Sequence, residues 1–215
     1  KEDTGMKKNC TEIVFILDRS GSMCGLEKDT IGGFNSLINK QKKQDGEVLV
    51  STVLFNDSSV VIHDRKPIDE VRLMTNKDYE VYGCTALLDA LGSSIRHIGN
   101  IHKYARIEDV PEHTMFVIIT DGMENASRYY SKERVKSMIE YEKEKYGWEF
   151  LFLAANMDAI DTASQYGIDK DHAVNYQCDS VGTRLNYEVL DEAIQCICSG
   201  VPLSKSWKSK IEKRK

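Results

Sequence analysis

Oxygen-bearing side chains follow one apolar run of this sequence at alternating positions. Residues 12–17 are mostly apolar and lead directly into Asp18, and Ser20 and Ser22 occupy the next two alternate positions. Side chains two residues apart point the same way in extended backbone, so these three groups can converge. Gly21, between the two serines, gives the chain freedom to bend there. The pattern predicts a cluster of oxygen donors where a strand ends.

Two further oxygen-bearing side chains occupy comparable places. Asp121 follows the apolar run at residues 114–120, and Thr85 stands at the start of a helical pattern, after a glycine and a cysteine. In an open parallel sheet, ligands bind in the crevice beyond the carboxyl ends of the strands. We therefore expect Thr85 and Asp121 to join Asp18 and its serines at one edge of a sheet.

These five groups would form a hard donor set of carboxylates and hydroxyls. Such a set suits Mg²⁺ best, with Mn²⁺ or Ca²⁺ as alternatives. Two aspartates only balance the charge of the cation, so the site stays electrophilic and leaves room for a carboxylate from outside. Each piece alone has a plainer interpretation, since Thr85 could cap a helix and Asp121 with its glycine could form a turn. Their combination favours the metal site.

Alternating apolar runs and helical patterns predict the elements that must position this cluster. Strands are expected at residues 12–17, 48–55, 59–63, 114–120 and 148–154, with a weak strand at 172–176. Helices are expected at residues 28–43, 86–98, from 131 onward, 159–166 and 181–199, whereas 64–81 is expected to be irregular. Strands that alternate with helices predict an α/β sheet, mostly parallel. The short turn at 56–58 predicts a hairpin that adds one antiparallel edge strand.

Composition and charge indicate the number of domains and exclude some classes of partner. The 215 residues predict one domain at 10–200 with a basic extension at 201–215, interpreted as a solvated helix end or frayed terminus. The net charge of −5 gives no general case for a nucleic-acid or anionic-membrane partner. No apolar run approaches the roughly 20 residues of a membrane span, and the first ten residues do not look like a secretory signal.

The cysteines indicate a reducing compartment. There are six of them, and no CxxC pair is present that would suggest a zinc ribbon or a thioredoxin-like site. Scattered cysteines in a chain long enough to bury a large core are typical of reduced thiols in a cytosol, so we expect a cytoplasmic protein. Cys24 and Cys84 both neighbour predicted site residues, and two unrelated thiols are favoured over a redox-sensitive pair.

The sequence resembles the von Willebrand factor type A family, whose metal-ion-dependent adhesion site has the pattern DxSxS…T…D. The matches are Asp18, Ser20 and Ser22 in DRSGS, Thr85 in GCTALLDA and Asp121 in ITDG. The resemblance implies a three-layer, doubly wound, Rossmann-like fold. It also implies that the three hydroxyls ligate a metal and that the two aspartates ligate it directly or through water.

The resemblance further implies what completes the site. An acidic side chain of a partner protein would fill the remaining position of the metal shell. The chain is more narrowly similar to intracellular bacterial or phage members, which lack the disulfide of many secreted adhesive domains. An associated ATPase is one partner class to consider.

Two function classes compete. The first is a non-enzymatic, metal-dependent protein-binding module, favoured because no nucleophile–base pair accompanies the oxygen cluster. The alternative is a Mg²⁺-dependent phosphohydrolase of the haloacid dehalogenase type with Asp18 as nucleophile. That chemistry needs a general acid two residues after the nucleophile, where this chain has Ser20.

Three neighbours of the cluster have open roles. Arg19 is expected to point away from the other groups and is interpreted as a surface charge, with guidance of an acidic partner as the alternative. Glu124 and Asn125 could accept hydrogen bonds from metal-bound water, and capping of a helix is an equally good interpretation. The five histidines are interpreted as structural or surface residues.

Overall fold

A six-stranded sheet forms the centre of the molecule. The computed structural model describes residues 5–201 and 203–214. The strands are β1 (Lys7–Asp18), β2 (Glu47–Phe55), β3 (Ser59–Pro67), β4 (Pro111–Thr120), β5 (Glu149–Ala154) and β6 (Ala173–Asn175). Their order is β3-β2-β1-β4-β5-β6, and β3 alone pairs in the antiparallel sense. The predicted α/β sheet with one antiparallel edge strand is confirmed.

Helices cover both faces of this sheet. They are α1 (Glu27–Gln41), α2 (Leu87–Tyr104), α3 (Lys132–Tyr146), α4 (Ala159–Gln165), α5 (Ser180–Cys198) and α6 (Ser209–Glu212). One apolar core includes residues of α1, α5 and α6, and the other includes residues of α2, α3 and α4. The chain therefore has the predicted three-layer, doubly wound arrangement. Among the described residues, no helix is long and apolar enough to cross a membrane.

Strand β1 contributes to both cores, which explains its continuous apolar run at residues 13–17. Ile13, Phe15 and Leu17 enter the core under α1 and α5, whereas Val14 and Ile16 enter the core under α2 and α3. A parallel strand covered on both faces has no solvent side to fill with polar residues. Its apolar run can therefore end only where the strand leaves the sheet, which is at Asp18.

The register of the strands brings their ends to one edge. Asp18 at the end of β1 pairs with Phe55 at the end of β2, and Leu17 lies opposite Ile119 in β4. The chain leaves β1 towards α1 on one face, and α3 follows β4 on the other face. The crevice between β1 and β4 is thus a topological switch point, where α/β proteins bind ligands.

The edge strand and the carboxyl-terminal segment differ from the sequence-based expectations. Strand β3 continues to Pro67, into a stretch that was expected to be irregular. The expected solvated or frayed end is wrong for the described residues, since Trp207 and Ile211 are buried in the core with α5. Lys208 is also buried and donates its ammonium hydrogens to two backbone carbonyls. The domain boundary at residue 200 stays a prediction.

Candidate metal centre

Asp18 lies at the end of β1 with its carboxylate oriented by two donors. The backbone N–H of Ser20 donates to Oδ1 at 2.7 Å, and the Thr120 hydroxyl donates to Oδ2 at 2.5 Å. The Tyr79 hydroxyl donates to the backbone carbonyl of Asp18. Burial raises the pKa of the Asp18 carboxyl, while the hydrogen bonds from Thr120 and Ser20 lower it. The side chain is only 1% exposed and has little freedom to turn.

A chain of hydroxyls connects the end of β1 to the end of β4. The Ser20 and Ser22 hydroxyl oxygens are 3.0 Å apart. The Ser22 hydroxyl then donates to Oδ1 of Asp121 at 2.5 Å. Ser20 is buried and Ser22 is exposed, so this row of oxygens runs from the interior of the crevice to its surface.

Three hydroxyl groups lie around the position that a side chain on Gly122 would occupy. A Cβ atom built on Gly122 would lie 2.7 Å from Thr85 Oγ1, 3.1 Å from Ser22 Oγ and 3.5 Å from Ser20 Oγ. Only the absence of a side chain at Gly122 leaves this small volume open. The structure thus brings Thr85, Ser20 and Ser22 to one place, and hydrogen bonds join the two serines to Asp18 and Asp121.

The donor set at this place fits a hard divalent cation. It contains neutral hydroxyls and two carboxylates, with no imidazole among its groups. Within the described part of the chain, no group of three or more His, Cys, Asp or Glu residues could hold a metal ion. A cation here would therefore depend on the hydroxyls as well as the carboxylates, as oxygen-binding Mg²⁺, Mn²⁺ or Ca²⁺ can.

Thr85 is held by its backbone and does not cap a helix. Its N–H donates to the Asn125 side-chain oxygen at 2.9 Å, and its carbonyl accepts from the Asn125 N–H at 3.0 Å. Helix α2 begins only at Leu87, after Ala86 at the N-cap. The Thr85 hydroxyl is therefore free of the capping role that was the alternative interpretation. Asn125 supports Thr85 directly.

Glu124 takes the capping role that was one of its two predicted interpretations. Its Oε2 accepts from the backbone N–H of Leu88, in the first turn of α2, at 2.8 Å. Its Oε1 accepts from the backbone N–H groups of Ala126 and Ser127. An acidic group at the amino-terminal end of a helix is stabilising. Glu124 therefore fastens the segment after β4 to the start of α2.

Arg19 was interpreted as a surface charge, and this interpretation is wrong. Its side chain turns inward, and the residue is only 7% exposed. The guanidinium lies over the Tyr82 ring, 5.5 Å from the ring centroid. Its Nε has no hydrogen-bond partner among the described residues. A planar guanidinium packs on an aromatic face more readily than other cations do, which accounts for its burial here.

Two residues of the cluster were missed by sequence reasoning. Thr120 precedes Asp121 at the end of an apolar strand, so its position could have indicated a role. Cys178 gave no such signal, because it is 57 residues from Asp121 in the chain, yet its Sγ lies 3.2 Å from Oδ2 of that residue. Burial and the Asp121 carboxylate raise the pKa of the Cys178 thiol to about 11.

Comparisons with known proteins rest on structure alone. The scan against protein-family models and the search of curated proteins found no match. A solved structure with a similar fold is the vWF domain of the type V pili tip protein Mfa5 from Porphyromonas gingivalis. It has a TM-score of 0.64 at 10% sequence identity, over 90% of this chain and 97% of that chain.

Two other similar structures are longer than this chain. Proximal thread matrix protein 1 from the mussel byssus, with a zinc-occupied MIDAS motif, matches at a TM-score of 0.60 and 15% identity, over 88% of this chain and 46% of its own. The von Willebrand factor type A protein from Catenulispora acidiphila matches at a TM-score of 0.54 and 13% sequence identity. The match covers 86% of this chain and 42% of that protein's chain. This chain thus spans less than half the length of both. Together, the sheet order and these structures show that the chain has the fold of von Willebrand factor type A domains.

Proposed function

We propose that this chain is a metal-dependent protein-binding module. The observation that carries the proposal is the convergence of three hydroxyls around Gly122, beside the carboxylates at the ends of β1 and β4. The Ser20 backbone N–H donates to Asp18, and the Ser22 hydroxyl contacts the Ser20 hydroxyl and donates to Asp121. The residues that would hold the cation are Asp18, Ser20, Ser22, Thr85 and Asp121. Mg²⁺ is the first choice, with Mn²⁺ and Ca²⁺ as alternatives, and the zinc-occupied motif of the mussel protein adds Zn²⁺ to the ions to test.

Charge balance explains why a partner would supply an acidic group. The carboxylates of Asp18 and Asp121 together neutralise a divalent cation, and the hydroxyls add no charge. A bound cation would therefore offer an electrophilic point that attracts a further oxygen anion. Mg²⁺ usually retains several waters in protein sites, which a Glu or Asp side chain of the partner could replace.

The surface around the cluster adds apolar contacts to this charged point. Met123, next to Gly122, is 68% exposed, and Tyr82, three residues before Thr85, is 52% exposed. Tyrosine and methionine are enriched in the buried centres of protein interfaces. We therefore infer a protein partner whose Glu or Asp lies beside apolar side chains. The scattered cysteines favour a cytoplasmic setting, and an associated ATPase is one candidate partner class.

The phosphohydrolase alternative fits the geometry less well. The Asp18 carboxylate is buried and accepts hydrogen bonds from the Ser20 N–H and the Thr120 hydroxyl, an arrangement that suits a fixed metal ligand and does not by itself distinguish it from a nucleophile. Ser20 occupies the position of the general acid and has no proton of suitable acidity. We therefore propose a binding role without turnover.

Selection from a displayed peptide library tests the binding role and requires no identified partner. Peptides are selected with Mg²⁺ present, and the binders are then measured with Mg²⁺ or EDTA against the unmodified chain, Asp121→Ala and Asp64→Asn. Asp64 is an exposed carboxylate on β3 that pairs with His97, so its variant is a matched control. We expect the selected peptides to share a Glu or Asp and to lose binding in EDTA and to Asp121→Ala. Replacement of the shared Glu or Asp of the peptide by Gln or Asn should also abolish binding.

The contradicting result is equally specific. Peptides that bind as well in EDTA, or to Asp121→Ala, would place recognition elsewhere on the surface. Hydrolysis of a generic phosphate ester by the unmodified chain, lost in Asp18→Asn, would support the enzymatic alternative.

A further inference from the structure

The thiol of Cys178 contacts the Asp121 carboxylate from the side opposite the serine row. Cys178 lies between β6 and α5, and its Sγ is 3.2 Å from Oδ2 of Asp121. The other oxygen of that carboxylate, Oδ1, accepts from Ser22 at 2.5 Å. Asp121 therefore has a donor on each carboxylate oxygen, and the two donors come from segments far apart in the chain.

The segment that carries Cys178 is itself held in place. The next residue, Asp179, caps α5 by accepting from the Gly182 N–H at 2.7 Å. Both oxygens of Asp179 also accept from the Arg214 guanidinium at 2.8 Å. Gln177, on the other side of Cys178, donates its side-chain amide to the Arg214 carbonyl at 3.1 Å. The thiol is thus presented by a backbone that is fastened on both sides.

The backbone of Asp121 is also held by hydrogen bonds. A hydrogen-bond donor can therefore change only the orientation of its carboxylate. The Asn156 side-chain amide donates to the Asp121 backbone carbonyl at 3.3 Å. The Ala155 N–H donates to the backbone carbonyl of Thr120, the residue before Asp121, at 3.1 Å. With the backbone in place, the remaining freedom of Asp121 is rotation of its side chain. The hydrogen bonds from Ser22 and Cys178 limit that rotation.

We propose that Cys178 is a positioning residue of the metal centre, which orients the Asp121 carboxylate for the cation through an S–H···O hydrogen bond. This inference rests on the proposed function and names one further residue on which metal affinity depends. Groups that orient a metal ligand typically matter 10–100-fold for affinity, and a thiol is a weak donor. We therefore expect a loss of about tenfold when the thiol is removed.

Metal titration of matched variants tests the role. Calorimetric titration with Mg²⁺ and Mn²⁺ compares the unmodified chain with Cys178→Ala, Cys178→Ser and Cys196→Ala. Serine keeps a donor at the same position, and Cys196 is a free cysteine near the far end of α5 that serves as the control. We expect Cys178→Ala to bind about tenfold more weakly, Cys178→Ser to retain most of the affinity, and Cys196→Ala to match the unmodified chain. Circular dichroism in EDTA checks that each variant is folded.

A second measurement separates this inference from the proposed function. The ¹³C signal of the Asp121 carboxyl reports its hydrogen bonds in the absence of metal, and it should move in Cys178→Ala more than in Cys178→Ser. If the unmodified chain binds no metal but this signal moves as expected, the metal-binding function fails while the contact with the thiol stands. An unmoved signal, or equal metal affinity in Cys178→Ala and the unmodified chain, overturns the positioning role. An equal loss in Cys178→Ala and Cys178→Ser also overturns it, because the donor would then not be the cause.

Discussion

Replacement of Gly122 by alanine would place one methyl group among the three hydroxyls of the candidate metal centre. The added Cβ would lie 2.7 Å from Thr85 Oγ1 and 3.1 Å from Ser22 Oγ. The first distance is shorter than carbon and oxygen atoms tolerate without a hydrogen bond, so Thr85 or the Gly122 backbone must move. Thr85 has little room, because the residue is 3% exposed and Asn125 holds both its N–H and its carbonyl.

The expected loss of stability follows from two opposing effects. Overpacking of a well-filled site costs about 1–3 kcal/mol. The smaller conformational entropy of alanine in the unfolded chain offsets about 0.4–1 kcal/mol of this where the backbone accepts alanine. Gly122 is not among the glycines with positive φ, so its backbone does accept alanine. The free energy of unfolding in EDTA should therefore fall by about 1–2 kcal/mol.

The same variant should lose metal affinity for a separate reason. The methyl group occupies the volume on which the three hydroxyls converge, so these groups can no longer approach one cation together. Urea unfolding in EDTA measures the first effect, and calorimetric titration with Mg²⁺ measures the second. Gly32→Ala is the matched control, because no atom lies within 4 Å of its added Cβ in α1 and the change should stabilise that helix by about 1 kcal/mol. Unchanged stability and unchanged metal affinity in Gly122→Ala would refute the convergence of the hydroxyls.

Two further substitutions test the packing that holds the site's elements together. Gly33→Ala in α1 should lower the free energy of unfolding by about 1–3 kcal/mol, because the new Cβ would overlap the Tyr187 ring of α5, and a melting temperature equal to that of the unmodified chain would contradict this contact. Arg214→Ala should change how stability depends on pH, because hydrogen bonding to Arg214 lowers the pKa of Asp179 from 3.8 to about 2. A lowered pKa in the folded state gives stability that is present above the unfolded pKa and is lost as the pH falls towards about 2. Urea unfolding between these pH values should therefore show a weaker dependence in Arg214→Ala, and identical curves would show that the ion pair does not form.

The strands and the five predicted site residues could be placed from the sequence because each depends on local pattern. Apolar runs identify the central strands, and a parallel arrangement brings their carboxyl ends to one edge. Asp18 and Asp121 follow such runs directly, so their meeting at one edge follows from the fold class. Their hydrogen-bond partners were harder to predict, since Thr120 appears in the sequence only as the last residue of a strand.

The missed features depend on contacts between distant parts of the chain. Cys178 reaches Asp121 only because β6 lies two strands away from β4 in the same sheet, which no local pattern reveals. The burial of Arg19 depends on the Tyr82 ring, which belongs to another segment. Trp207 was assigned to a frayed end because its neighbours are basic, although its indole is buried and donates to the Asp171 carbonyl at 2.9 Å. A basic composition therefore does not show which side chains of such a segment are buried, and even Lys208 lies in the interior.

Thermal unfolding with and without metal tests the central claim most directly. The melting temperature would be measured in EDTA and in Mg²⁺, Mn²⁺, Ca²⁺ or Zn²⁺, for the unmodified chain and for Ser22→Ala. Ser22→Ala removes the hydrogen bond to the buried Asp121, so the rise on adding metal is compared with each protein's own melting temperature in EDTA. A cation at about 100 times its dissociation constant adds about 2.7 kcal/mol if only the folded state binds it, which corresponds to a rise of about 5–10 °C for a domain of this size. We predict such a rise with at least one of these ions in the unmodified chain and a smaller rise in Ser22→Ala, whereas no rise with any ion, or an equal rise in both proteins, would contradict a cation held by this cluster.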